Sequence, residues 1–165
     1  MITIEPPSTL ATPDAALSKS GLTRFLNRAR EAVGLVGEVD VLLADDATLK
    51  RLNRTYRGKN KATDVLSFPA AYNEFAGSNQ TAGDLAISLE TAARQAAAYS
   101  HSLRDEVRIL LLHGLLHLHG MDHEIDRGEM AARELELRRA LGLARSLIER
   151  VTAKTPPRSS RGGPA

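Results

Sequence analysis

The stretch Ile109-Leu110-Leu111-Leu112-His113-Gly114-Leu115-Leu116-His117-Leu118-His119-Gly120-Met121-Asp122-His123 contains four of the five histidines of the chain. Its leucines and Ile109 fall on nearly every side of a helical wheel, the pattern of a helix buried in a core. His113 and His117, four residues apart, lie about 40° apart in azimuth and one turn above the other. Both imidazoles can therefore reach one metal ion. Gly120 can end the helix in a left-handed conformation, and the returning chain can then bring His123 in as a third ligand. Three neutral nitrogens and one open position make up the ligand set of a catalytic zinc site rather than a structural one. Histidines on an apolar helix are commonly plain core or surface residues. Buried imidazoles are costly, however, unless their nitrogens are occupied, and a divalent ion with a partner on each remaining N–H would occupy them. His119 points to roughly the opposite side from His113 and reads as a spectator, and His101, ahead of the helix, is expected to be exposed.

The 165 residues suit one domain with a real core. A hydrophobic content of 42% and a charged content of 25% are ordinary for a soluble globular protein. With no cysteine, disulfides and thiolate ligands are excluded, so a metal must be held by His, Asp or Glu. Met1-Ile2-Thr3-Ile4-Glu5-Pro6-Pro7 lacks the basic region and apolar run of a secretory signal, and no apolar stretch approaches membrane-spanning length. A cytoplasmic protein without membrane contact is the expectation. Net charge is +2, but residues 145–165 carry Arg145, Arg150, Lys154, Arg158 and Arg161 against Glu149, leaving −2 for the rest. The high pI thus comes largely from the tail. Residues 50–61 are a local exception, with Lys50, Arg51, Arg54, Arg57, Lys59 and Lys61 and no acid. Such a run is usually a solvated loop, but beside a metal site it can serve as a phosphate-binding rim.

Along the chain, residues 2–4 read as a short strand ended by Pro6-Pro7. A helix is predicted from between Asp14 and Leu22 to Val33, stopped by Gly34. Alternation of Val39, Val41 and Leu43 predicts a second strand, and Asp45 or Asp46 can cap a short helix to about Tyr56. Strands are expected over residues 64–68 and 84–89, with a loop over 71–82. Helices follow over residues 90–99, from a capping box at Ser102-Leu103-Arg104-Asp105 through the histidines, and over about 126–141. The predicted fold is α+β: a small, mostly mixed four-stranded sheet packed with about five helices, the metal site on a central one. Residues 1–151 form the single domain, and 152–165 form a basic tail without core-forming residues, expected to be disordered.

The spacing His-x-x-x-His-x-x-Gly-x-x-His is that of the extended zincin protease motif. The glutamate that serves those proteases as general base would fall at position 114, where this chain has glycine. Peptide hydrolysis needs that base. Phosphodiester cleavage gains more from positive charge around the phosphate, and Arg57 can be that cation, since guanidinium engages phosphate oxygens in pairs.

Three segments then point the same way. Leu52-Asn53-Arg54-Thr55-Tyr56-Arg57-Gly58-Lys59-Asn60-Lys61-Ala62-Thr63-Asp64-Val65-Leu66-Ser67-Phe68-Pro69 closely resembles the signature of the bacterial YbeY family, metal-dependent endoribonucleases also described as ribosomal RNA maturation factors. Gly83-Asp84-Leu85-Ala86-Ile87-Ser88 is similar to that family's second block, and His113 to His123 to its metal motif. Order and spacing agree over about residues 35–143. The resemblance implies that His113, His117 and His123 bind zinc or a similar divalent ion and that Arg57 is the functional arginine. It also implies cleavage of single-stranded RNA, maturation of the 3′ end of small-subunit ribosomal RNA, contact with the small ribosomal subunit, and ribosome quality control. Family members often carry Asp-Lys-Pro-Thr-Asp where this chain has Asn60 to Asp64, and a common Tyr is Met121 here; neither change removes a ligand.

Several residues keep two readings. Asp64 either braces Arg57 or a histidine, or caps its loop; Asp84 either bonds a ligating imidazole or forms a turn. Asp122 reads as turn chemistry. Tyr56 or Phe68 can stack one base, though Phe68 suits a core better. Two alternatives to the nuclease stay open: a zincin-like metallohydrolase of peptides, and a non-catalytic ribosome assembly factor stabilised by its metal.

Overall fold

Residues that alternate in and out of the core build the sheet. In β2 (Glu38–Ala44) Val39, Val41 and Leu43 are buried, and in β4 (Thr81–Ser88) Leu85 and Ile87 join them on the same face, as the two-residue period of a strand requires. The computed structural model describes residues 1–5, 17–70, 81–122 and 125–143. Within these, β1 (Ile2–Ile4), β2 and β4 run parallel, and β3 (Val65–Pro69) is antiparallel to β4, in the order β1-β2-β4-β3. Five helices accompany the four strands: α1 (Lys19–Val33), α2 (Asp46–Arg57), α3 (Leu89–Ala98), α4 (Leu103–Leu118) and α5 (Glu129–Leu141). The α+β class and the mixed sheet are as the sequence predicts.

The two faces of the sheet carry unequal loads. On one, Val41, Leu43, Leu85 and Ile87 form the main core with Phe25 and Leu26 of α1, Leu110, Leu111 and Leu115 of α4, and Met130 and Leu137 of α5. On the other, Ala44, Leu66 and Ala86 meet Leu49 of α2 in a smaller cluster. α4 is the central helix: Glu106, Val107, Ile109 to Leu116 and Leu118 are all buried, and it packs against α1, α3, α5, β3 and β4. It begins at Ser102, whose Oγ accepts from Asp105 N–H at 3.1 Å, and it closes at Gly120, where φ is +96° and Met121 N–H reaches back to the Leu116 carbonyl at 3.1 Å.

Some boundaries differ from expectation. β4 starts at Thr81, and Leu89 opens α3 rather than closing the strand, because Ser88 is an N-cap whose Oγ accepts from Thr91 N–H at 3.1 Å. α5 starts at Glu129, not near Asp126. There the Asp126 carboxylate accepts from Gly128 N–H and Met130 N–H, both at 2.9 Å, while Gly128 takes a left-handed turn. Of the two aspartates before α2, Asp45 is the cap, accepting from Thr48 N–H at 2.8 Å. Of the loop expected over residues 71–82, residues 81–82 belong to β4, and residues 71–80, like the tail expected to be disordered over 152–165, lie outside the described residues.

Asp46 ties α2 to the β4–α3 junction. Its carboxylate accepts from the Ser88 hydroxyl, from Thr91 Oγ1 at 2.6 Å and from Arg94 at 2.9 Å. Burial works to raise its pKa, but the Ser88, Thr91 and Arg94 bonds outweigh it and hold the carboxyl below the usual range. A depressed folded-state pKa adds stability that is present above the unfolded-state value and is lost as pH falls through the folded one. Asp46→Asn is therefore expected to cost about 1–2 kcal/mol at neutral pH. In urea melts that deficit narrows as the pH drops below about 4. Gly83 makes a second point of strain for any replacement. Its φ is +148°, and a Cβ there would stand 2.5 Å from the Phe68 carbonyl oxygen and 2.7 Å from Leu118 Cδ2. Gly83→Ala should destabilise the fold by about 3 kcal/mol, read as a fall in the urea midpoint.

Candidate metal centre

Helical spacing places the two imidazoles of α4 face to edge. His113 Nε2 and His117 Nε2 lie 3.1 Å apart, with ring centroids 4.8 Å apart and planes at 75°. Two ligand nitrogens each about 2.05 Å from one tetrahedral zinc are separated by roughly 3.3 Å, so the pair is spaced to share a cation. His113 is only 5% exposed, and His117 is half-buried.

Behind them stands a carboxylate. His113 Nδ1 is 3.1 Å from Glu134 Oε2 of α5, and Glu134 is fully buried. A carboxylate oxygen only accepts, so this contact assigns the donor role to Nδ1, and a neutral ring in that tautomer presents its Nε2 lone pair on the His117 side. This is the arrangement that orients a metal-ligating imidazole. Sequence reading missed Glu134, although a signal was there. Met130, Glu134, Leu137 and Leu141 share one helical face, so an acid stands where the core expects an apolar side chain. Leu135, one position beyond Glu134 and off that face, is only half-buried.

His123 lies outside the described residues. Among the described residues no group of three or more His, Asp or Glu side chains gathers as a metal-binding set; the pair and its carboxylate are what they bring together. Gly120 does turn left-handed after the helix, and the Asp122 carbonyl accepts from Ile125 N–H and Asp126 N–H, the turn chemistry expected of that residue. His119 is the exposed C-terminal cap of α4. His101 departs from expectation. Its side chain is 11% exposed, and Nε2 lies 2.6 Å from Oε1 of the fully buried Glu106, because a buried acid at the start of α4 needs a nearby partner.

Arg57 is the exposed last residue of α2, followed by the left-handed Gly58. α2 and α4 pack on opposite faces of the sheet, with β3 between them at the edge: Phe68 meets the Tyr56 ring at 5.5 Å, while Ser67 Oγ donates to the Gly114 carbonyl at 3.3 Å. Among the described residues no side-chain hydrogen bond or ion pair joins Arg57 to His113 or His117. Asp64 takes the loop-capping role, accepting from Val65 N–H at 2.8 Å and from Gln95 Nε2 at 3.2 Å. Asp84 takes neither of its expected roles. It sits inside β4 opposite Asp40 of β2 and Phe68 of β3, on the face away from α4. There it lines a groove of about 600 Å³ with Asp40, Leu52, Tyr56 and Phe68, and burial, with the Asp40 charge adding to it, pushes its carboxyl above the usual range.

A mixed α+β sheet carrying a carboxylate-backed histidine pair on its core helix defines a class of candidate metalloproteins. The family model described as Endoribonuclease YbeY matches residues 12–142, and the chain belongs to the YbeY family. Its relatives include the Endoribonuclease YbeY of Koribacter versatilis (strain Ellin345), 52% identical over 84% of this chain and 87% of that protein. That of Solibacter usitatus (strain Ellin6076) is 47% identical over 83% and 88%. The fold matches the solution structure of TM1509 from Thermotoga maritima, at 24% identity and a TM-score of 0.52, over 86% of this chain and 89% of that one.

The Glu134 contact makes a direct prediction. In Glu134→Ala the Nδ1–H of His113 loses its acceptor, so nitrogen-15 spectra of the imidazoles should show His113 leaving the Nδ1–H tautomer, with a stability loss of about 1–3 kcal/mol. An unchanged spectrum would contradict the assigned proton position.

Proposed function

We propose that this chain is a metal-dependent endoribonuclease acting on single-stranded RNA, with one divalent ion, zinc in the first instance, held by His113, His117 and His123. The observation that carries the reading is the 3.1 Å approach of the His113 and His117 Nε2 atoms with the buried Glu134 behind them. Family membership supports the nuclease chemistry, since the matching model and the relatives are described as endoribonucleases. A zinc ion there would supply a Lewis acid for a phosphoryl oxygen and a bound water of lowered pKa. The remaining work falls to the chain itself. Glu134 fixes the His113 tautomer and ring angle, and the apolar shell of α4 holds both imidazoles in register; Arg57, on α2 across the β3 edge, takes from the family resemblance the role of neutralising charge developing on the phosphate. Its neighbours Lys50, Arg51, Arg54, Lys59 and Lys61 are exposed and draw in the strand.

The finer assignment is maturation of the 3′ end of small-subunit ribosomal RNA and ribosome quality control in the cytoplasm, on or near the small subunit. It rests on the resemblance of the three sequence segments. Among the described residues no helix is long and apolar enough to cross a membrane. The peptidase alternative is disfavoured by position 114. A Cβ on Gly114 would meet Leu85 Cδ2 at 2.8 Å and Ser67 Oγ at 3.4 Å, so this position faces the sheet and leaves no path for a general-base glutamate.

Metal content and RNA cleavage measured together on the parent, His117→Ala and Arg57→Ala separate the readings. His117→Ala is expected to lose metal and activity together. Arg57→Ala is expected to keep its metal while cleavage falls by about 10²–10³-fold. Equal cleavage by all three preparations would remove the nuclease reading and leave a metal-stabilised assembly factor.

A further inference from the structure

Away from the histidines, α1 and α4 bring together three guanidinium groups, with Asp105 the one acid paired with any of them among the described residues. Arg108 of α4 lies over the ring of Phe25 of α1, with its guanidinium carbon 5.3 Å from the ring centroid. Its Nε is buried and has no hydrogen-bond partner among the described residues. Arg104 is one turn earlier on the same side of α4, and Arg28 is one turn beyond Phe25 on α1; both are exposed. The three charges feel one another. Burial first and then the Arg104 charge lower the Arg108 pKa; Asp105 opposes them, and the Arg28 charge adds a smaller push downward. Asp105 offsets part of this: its carboxylate pairs with Arg104 Nε at 3.9 Å, which leaves one acid among three guanidinium groups.

Like charges gathered on a folded surface cost free energy unless an anion joins them. We propose that Arg28, Arg104 and Arg108 form a second anion-binding surface, which grips the phosphodiester backbone of an RNA strand away from the point of cleavage. The partner class rests on the nuclease reading, and the surface rests on the packing of α1 on α4. Arg108 and His113 are separated by about 7.5 Å along the helix axis and about 140° around it, so this surface occupies a different flank of α4 from the histidine pair. Guanidinium groups suit the role because they meet phosphate oxygens with paired donors. The stacking of Arg108 on Phe25 fixes one of the three in advance.

The test is binding of a fluorescent 2′-O-methyl oligoribonucleotide of about 16 nucleotides, chosen to resist cleavage, to the parent and to Arg28→Gln/Arg104→Gln. Both positions are exposed, so the variant keeps the Arg108–Phe25 contact. Arg139→Gln, an exposed charge on α5, sets the non-specific loss per charge. The double variant should bind about tenfold more weakly, and the slope of log affinity against log salt should fall by about 1.4, or 0.7 for each phosphate contact. Affinity and slope no different from the Arg139→Gln control would overturn the proposal, even if the double variant alone lost binding to polyglutamate. Arginine-dependent binding in a protein that cleaves no RNA would sink the nuclease reading and leave this surface standing.

Discussion

A carboxylate with no access to water must have a partner, and Glu134 finds its partner in His113. That single constraint links α5 to α4 and sets the rotation of the ring that faces His117. Leucine at 134 would fill the main core but would take this acceptor away from the buried His113 ring. The acid stands where its burial is costly, beside an imidazole that it can aim.

The sheet acts as a partition. Its heavily packed face supports α1, α4 and α5 with the histidines, and its lighter face carries α2, the groove with Asp40 and Asp84, and the basic segment. β3 is the element both sides share. Successive residues Ser67 and Phe68 point to opposite faces, one bonded to Gly114 and the other packed on Tyr56. A single strand thus touches both α2 and the helix that bears the histidines.

Much of the fold was legible because its signals are local. The alternation of Val39, Val41 and Leu43, the apolar wrapping of residues 109–118 and the caps at Ser102 and Asp45 each depend on neighbours in sequence. The His113–His117 pairing was legible for the same reason, since a four-residue step fixes it. Glu134 and Glu106 were not, because their roles are set by residues of other turns or other helices: His113 is 21 positions from Glu134, and His101 lies across the cap from Glu106. Asp84 was misplaced between a turn and an imidazole because β4 runs three residues further back than its apolar core suggests. Charge repulsion among Arg28, Arg104 and Arg108 likewise needs α1 folded onto α4 before it exists.

The close seating of α4 on the sheet at Gly114 also limits what descendants of this chain can become. The backbone there rides so low over Leu85 that even one added carbon displaces a core side chain. New reactivity at this helix must then be imported from loops and adjoining helices, while the helix interior stays fixed. Any side chain added at position 114 would first require re-excavating the core beneath it.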